Sequence, residues 1–209
     1  MSIDEGSLDC LRASLKGEME EARYRHTLGV EREIRLLARY FLPQKENVAA
    51  AAALLHDVTK GWSKEMHLAF CEEKNLPLTE DEKDIPALLH AKTAAALIPQ
   101  RYPSFATDEI LSAVSKHTAA DREMSLLDAL LYIADFTEDG REYGSCQTVR
   151  KHLHDGMAQS SLPKHLLLQN VLLETYDASL AALVRLGRPI AVATENAKRA
   201  LLENDRYFS

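Results

Sequence analysis

The longest apolar run in the chain, Val48 to Leu55, leads directly into His56-Asp57. Eight consecutive Ala, Val and Leu residues leave a helix with no polar side to turn to water, so that helix belongs in the centre of a fold. The run is far too short to cross a membrane, which takes about 20 apolar residues. It therefore carries an imidazole and a carboxylate into the interior at its end. Burying both is costly unless they pair with each other or bind a cation. A His-Asp hydrogen bond capping the helix and a metal site are the two readings of this segment.

Composition agrees with a helical, water-facing fold. Only 8 Gly and 7 Pro interrupt 209 residues, 46% are hydrophobic and 27% charged. Alternating Val/Ile/Thr runs bounded by turns are absent, so no strand is expected and the fold class is all-α. The length favours one domain over 1–209, and a core large enough to fold without disulfides or a structural metal. The net charge of −7 and a pI near 5.6 argue against general nucleic-acid binding, which depends on neutralising phosphates. Cys10, Cys71 and Cys146 are odd in number and form no Cys-x-x-Cys pair. A reducing, cytoplasmic setting is the expectation. The acidic start, Met1 to Gly6, lacks the basic and apolar regions of a secretory signal.

Periodicity and caps predict the helices. The first follows Ser7 as N-cap, with Leu8, Leu11 and Leu15 on one side and Gly17 breaking it. The next runs from Glu18 to Tyr40, with Leu28, Ile34, Leu37 and Phe41 aligned and Pro43 as the stop. Glu46 to Asp57 is the buried helix. Ser63 caps a short helix ending near Lys74, and Leu76 to Pro86 reads as a surface loop. Leu88 to Ile98 is helical and stopped by Pro99. Thr107 caps Asp108 to Lys116. Ser125 and Asp128 form a capping box ahead of Leu126 to Phe136. Glu138 to Ser145 reads as a loop. Helices over Gln147 to His154, Leu162 to Leu186 and Pro189 to Asn204 complete the chain.

The chemistry-bearing residues are spread over these helices. His26 precedes the apolar half of its helix, His90 opens an Ala-rich helix, His117 closes another, and Asp135 ends an apolar run. Each has a structural reading by itself: His90 and His117 as helix caps, His26 as a half-buried histidine, Asp135 as an arginine's partner. Taken in order they are His, His-Asp, His, His, Asp on separate helices, which is how helical proteins bring ligands to a two-metal centre. Imidazole and carboxylate without thiolate suit iron, manganese, cobalt or magnesium better than structural zinc. His67, His152, His154 and His165 stand in polar or amphipathic surroundings. His154-Asp155 copies the dipeptide without a buried helix before it, and reads as solvated surface.

The ordered set resembles the HD-domain metal-dependent phosphohydrolases, and within them the YqeK-type branch of symmetrical diadenosine tetraphosphate hydrolases. The resemblance is carried by Arg23-Tyr24-Arg25-His26-Thr27, Leu55-His56-Asp57-Val58-Thr59-Lys60, Leu89-His90-Ala91, Lys116-His117-Thr118, Ala134-Asp135, Glu138-Asp139-Gly140-Arg141 and Thr148-Val149-Arg150-Lys151. It spans about residues 8 to 186 and leaves the C-terminal helix packed on the domain or extending it. It implies a helical bundle around two metals, iron first. His26, His56, Asp57 and Asp135 would hold one metal, and His90 and His117 the other, with Asp57 shared. Lys60 lies four residues after His56, on the same face if the helix continues, and is expected on phosphate oxygens. Arg141 is expected to grip phosphate. Thr27, Thr118 and Arg23 are further candidates, to orient ligands or touch substrate, with Arg23 near Asp135 or the substrate.

The chain departs from the branch after Thr118. A Gly-Arg-Pro-Gly-Met-like loop is replaced by Ala120-Asp121-Arg122-Glu123-Met124, and a Pro-Asn by Asp139-Gly140. The ligands survive, while nucleotide specificity is put in question. The expected activity is splitting of diadenosine tetraphosphate into two ADP. The alternatives are hydrolysis of another nucleotide or phosphoester, mixed-valent di-iron oxygen chemistry, and a nucleotide-binding module without catalysis. The expected partner is a small nucleotide, with no nucleic acid and no membrane, and with a homodimer left open.

Overall fold

The computed structural model describes residues 3–160, 162–204 and 207–208. Met1 and Ser2 of the acidic start, and Ser209 of the expected domain, lie outside them. The described residues form eleven α-helices linked by turns and short 3-10 segments, and contain no strand.

The central helix is α3 (Glu46–Leu55), in which Ala49 to Leu55 are completely buried. Its five alanines let neighbouring backbones come close, since interaxial distance follows side-chain size. Four helices surround it: α1 (Glu5–Glu18), α2 (Glu21–Phe41), α7 (Asp108–Lys116) and α8 (Leu126–Thr137). α8 is itself buried from Leu127 to Ala134 and starts at the expected Ser125–Asp128 capping box. α6 (Leu89–Arg101) packs on α7 and on α4 (Lys64–Glu73). The C-terminal half adds α9 (Gly144–Gln159), α10 (Lys164–Arg185) and α11 (Val192–Glu203), with α10 against both α8 and α9. One hydrophobic core runs from Leu8 of α1 to Leu201 of α11.

Several boundaries differ from the sequence reading, each for a local reason. The N-cap of α1 is Asp4, whose carboxylate accepts from the Ser7 backbone and hydroxyl at 2.8 and 2.6 Å, so Ser7 sits inside the first turn. Pro99 does not stop α6, which continues to Arg101. Only its last turn lacks a backbone donor there, and Tyr102 N closes the helix on Ile98 O at 2.8 Å. The acidic segment expected as a loop holds a short helix, α5 (Glu80–Asp84), nucleated by a Thr79–Glu82 capping box. α9 begins at Gly144 rather than Gln147 and runs to Gln159 rather than His154, with Ser160 as its C-cap, turned left-handed at φ 49°. The buried helix ends at Leu55, and residues 56–61 follow as turns.

Candidate metal centre

Helix ends deliver most of the cluster. His56 is the residue after α3 and His117 the residue after α7, while His90 is the second residue of α6. All three are almost fully buried. Each holds its Nδ1 against a backbone carbonyl three residues earlier: Ala53 at 2.6 Å, Ala87 at 2.6 Å and Val114 at 2.7 Å. A carbonyl oxygen only accepts, so Nδ1 carries a proton, and in the neutral ring Nε2 carries the lone pair. Those lone pairs converge. His90 Nε2 and His117 Nε2 lie 3.0 Å apart, each facing Asp57 Oδ1, at 3.3 and 3.5 Å. Two neutral acceptors in such contact need a cation or a shared proton between them.

Asp57 stands between two groups of donors. Its Oδ1 faces His90 and His117, and its Oδ2 faces His56 Nε2 at 3.3 Å and His26 Nε2 at 3.9 Å. His26 comes from the second turn of α2 and approaches Asp135 Oδ1, at the end of α8, at 3.0 Å. His26 Nε2, His56 Nε2 and Asp57 Oδ1 are buried without a hydrogen-bond partner. In a protein interior such atoms are rare and expensive. Three groups, His26/His56/Asp57, His56/His117/Asp135 and Asp57/His90/His117, bring their ligand atoms within 4.8 Å of one another and can each hold a metal ion. The donor set of imidazole and carboxylate fits a divalent cation.

The electrostatics point the same way. Burial works against the charges of Asp57 and Asp135, but His56 and His117 around the first, and His26 and Arg141 around the second, outweigh it. Both carboxyls are held well below their usual range. Burial, with His117 and Lys60 nearby, pushes His90 well below the usual imidazole value, so it stays neutral and ready to ligate. His26 is also penalised by burial, yet the carboxylates of Asp135 and Glu138 raise it to about 9. A nitrogen that attracts a proton so strongly is one that a metal cation can take over.

Three cations stand at the rim, their side chains each about a third exposed: Arg23 (35%), Lys60 (35%) and Arg141 (36%). Lys60 does not lie on a continued helix. It sits in the turn after α3, and its Nζ reaches His90 Nε2 at 2.9 Å. Burial lowers its pKa. Arg23 binds Asp57 Oδ2 at 2.6 Å. Arg141 holds Asp135 Oδ1 at 2.9 Å. Thr118 Oγ1 lies 3.0 Å from His90 Nε2 and 3.1 Å from His117 Nε2, at the cluster itself. Thr27 is fully buried with its hydroxyl on the Met19 sulfur, which leaves it no surface to offer a phosphate.

Two parts of the centre escaped the sequence reading. Glu138, the first residue after α8, is buried with Oε1 3.2 Å from His26 Nδ1. His67 is buried rather than amphipathic. Its Nδ1 meets Thr93 Oγ1 at 2.9 Å, and Thr93 in turn meets Thr59 Oγ1 at 2.9 Å, while Thr59 donates to the His90 carbonyl. That network ties the turn after α3 to the start of α6, and so fixes Asp57 against His90. The altered loop shows its substitution in the backbone. Ala120 has φ 62°, a conformation that costs a residue with a Cβ about 1–2 kcal/mol and glycine nothing comparable. The loop is fastened from the C-terminal side, by Thr194 Oγ1 on Ala119 O at 2.8 Å and Tyr207 Oη accepting from Met124 N at 2.8 Å.

An all-helical bundle closed around a His/Asp cluster able to hold metal ions is what the fold and site define, and comparison with known proteins supplies the family. The HD domain family model matches residues 23–139, and the chain belongs to that family. It is 33% identical over 140 residues to the symmetrical bis(5'-nucleosyl)-tetraphosphatase of Bacillus subtilis (strain 168), an alignment covering 66% of this chain and 73% of that one. It is 30% identical over 141 residues to the protein of the same name from Halalkalibacterium halodurans, covering 65% and 71%. Among solved structures, it superposes with a TM-score of 0.80 and 25% identity on a predicted HD superfamily hydrolase involved in NAD metabolism from Clostridium acetobutylicum, over 93% of this chain and 96% of that one. HD membership implies divalent metal binding, which the cluster can provide. No helix among the described residues is long and apolar enough to cross a membrane.

Proposed function

We propose that the chain is a metal-dependent phosphohydrolase that splits dinucleoside tetraphosphates symmetrically, diadenosine tetraphosphate and water giving two ADP. The observation that carries this reading is the pairing of a two-sided donor cluster with three rim cations. Asp57 offers one oxygen to each donor group, which suits a carboxylate shared by two metals. His26, His56 and Asp135 complete one site with Asp57, and His90 and His117 the other. When bound, the metals supply Lewis acidity and make a coordinated water a stronger acid. Iron is the first choice, with manganese, cobalt or magnesium as alternatives for the same donors.

The chain's own groups explain an anionic, extended substrate. Lys60 and Arg141 flank the cluster and partly face solvent, so they can bind phosphate oxygens and stabilise charge as the phosphoanhydride breaks. Arg141 has a second N–H edge to spend on phosphate while one holds Asp135. Thr118 can donate its hydroxyl to a substrate oxygen at the metal cluster. Arg23 holds Asp57 in place. Hydrolysis at an inner phosphorus places one nucleoside diphosphate on each side of the broken P–O bond, and the name shared by the two relatives describes that outcome.

The name of the Clostridium acetobutylicum protein gives a second reading, a dinucleotide of NAD chemistry as substrate. Anaerobic purification with metal analysis, followed by incubation with diadenosine tetraphosphate and separation of products, decides between them. Two ADP with about two metals per chain is the expected result. Metal without ADP refutes the tetraphosphatase reading, and NAD-type dinucleotides and substrate-dependent oxygen uptake are then the assays that identify the reaction.

A further inference from the structure

Four histidines face the cluster, and one is held differently. His56, His90 and His117 lie at helix ends, where the carbonyl three residues back is free to accept from Nδ1. His26 lies inside α2, in its second turn, where backbone carbonyls are committed to the helix ladder. Its Nδ1 needs an acceptor from elsewhere, and Glu138 provides it at 3.2 Å. The need is acute because Asp135 Oδ1 sits 3.0 Å from Nε2. Without an acceptor at Nδ1, the ring proton would move to Nε2 and face Asp135, and the nitrogen aimed at the cluster would no longer have a lone pair to give.

We propose that Glu138 is a positioning residue for metal binding: it holds one proton of His26 on Nδ1, so that Nε2 is the nitrogen that yields its proton to a metal and binds it. The surroundings are built for it. Gly29 lies one turn after His26 on the same side of α2, and a Cβ there would collide with Glu138 Oε2. A helix-interior glycine costs about 0.5–1 kcal/mol relative to alanine, so α2 gives up stability at the one place where the carboxylate enters. A Cβ on Gly140 would meet the same oxygen at 2.9 Å, and the Gly140 backbone N–H donates to it at 2.7 Å. Arg150 then fastens the segment, its guanidinium donating to the carbonyls of Thr137, Glu138 and Arg141. Glu138 is thus fixed from four directions, with one oxygen for His26 and one for the loop.

The inference rests on the reading of His26 as a metal ligand, so the test separates the two. Wild type, His26→Ala, Glu138→Ala, Glu138→Gln and Gly29→Ala are stripped of metal and titrated with Mn²⁺ by calorimetry. Thermal melting is followed with Mn²⁺ and with chelator. Loss of such an outer partner costs about 10–100-fold in metal affinity, and that is the expectation for Glu138→Ala and Gly29→Ala. Glu138→Gln has one acceptor oxygen for two donors and should fall between these variants and wild type. The chelated variants should melt below chelated wild type, because the Gly140 N–H loses or shifts its acceptor, and the rise in melting temperature on adding Mn²⁺ should shrink besides, as linkage requires. A merely structural role would lower the chelated melting temperature and leave the Mn²⁺ affinity intact, which overturns the proposal. Wild-type affinity in Glu138→Ala or Gly29→Ala, with metal lost in His26→Ala, overturns it also while sparing the metal reading. Unchanged Mn²⁺ binding in His26→Ala refutes the ligand reading on which both stand.

Discussion

The molecule contains the dipeptide His-Asp twice, and the two copies differ in everything except sequence. His56-Asp57 follows a helix buried on all sides, and three polar atoms of its cluster have no hydrogen-bond partner. His154-Asp155 lies within α9, where His154 Nε2 finds Glu33 Oε1 at 2.9 Å and Asp155 pairs with Lys151 one turn back. The second copy satisfies itself with neighbours and water. The first does so only in part: Arg23 takes Asp57 Oδ2 and the Ala53 carbonyl takes His56 Nδ1, but His56 Nε2 and Asp57 Oδ1 are left without a hydrogen-bond partner. A chemical motif is therefore defined by what leads into it: the apolar run before His56, absent before His154, turns a common dipeptide into a cation site.

Aspartate replacement breaks the comparison most sharply. Asp57→Ala removes the one carboxylate that faces both donor groups, and should lose both metals. Losing one stabilising group at an active centre already costs about 10²–10³ in rate, so the fall in turnover should exceed about 10³-fold. Metal analysis and circular dichroism check this, with helices retained and metal gone. Full metal content in a folded Asp57→Ala protein would refute the shared-carboxylate assignment. Asp155→Ala is the counterpart. It removes an exposed pair of the (i, i+4) kind, worth about 0.3–0.5 kcal/mol, and should leave metal and turnover as they are.

The lysines extend the contrast. Lys60 stands over His90 at the rim of the cluster, and Lys151 stands over Asp155 on an open helix face. Lys60→Ala should retain both metals and lose about 10²–10³ in turnover, the scale of one charge-stabilising group. Retained turnover would show that Lys60 is no more than a neighbour of the site. Lys151→Ala should not change turnover.

The candidate site was legible in the sequence where candidate donors stand at the ends of apolar segments. His56-Asp57, His90, His117 and Asp135 all do, and the packing that buries those segments brings them together. The helical class was legible for the same reason. Less legible was whatever depends on a partner far along the chain. Glu138 meets His26 across 112 residues, and its one local trace is Gly29 inside a helix. Arg23 was a candidate, but its partner, Asp57, follows from the packing of α2 on α3 and from no spacing. Thr27 borders a ligand in sequence and points elsewhere, because adjacent residues on a helix do not share a face. The local misreadings at Ser7 and Pro99 come from caps: Asp4 competes better for the N-terminus, and a proline near a helix end removes too little to terminate it.

Between the two copies in expected effect is the frame behind the first. Thr93 accepts or donates in bonds to Thr59, His67 and the backbone carbonyl of Leu89, all buried. Thr93→Val keeps the shape and strands His67 Nδ1, while Thr59 keeps its bond to the His90 carbonyl. The expected loss is about 1–3 kcal/mol of stability, read from denaturant unfolding of the metal-free protein. Metal affinity should weaken too, since Thr59 and Thr93 hold the turn of Asp57 against the start of α6. Unaltered stability would mean that water replaces the hydroxyl and that the frame is dispensable.

The smallest effect belongs to the second copy itself. His154→Ala removes one hydrogen bond to Glu33, a largely buried carboxylate that still accepts from Thr137 Oγ1 at 3.1 Å. With one partner left, Glu33 is not stranded, and the loss should be about 0.5–1.5 kcal/mol, that of an ordinary bond. Metal content and turnover should match wild type, because α9 carries this pair away from the donors of the cluster. Denaturant unfolding measures the first quantity and metal analysis the second. If His154→Ala lowered metal content, the second dipeptide would be coupled to the centre through Glu33 and α2, the helix that bears His26. The distinction between a buried motif and its exposed duplicate would then rest on distance along the polar network rather than on burial. A modest loss of stability with the metals in place keeps it on burial, where the apolar run before His56 puts it.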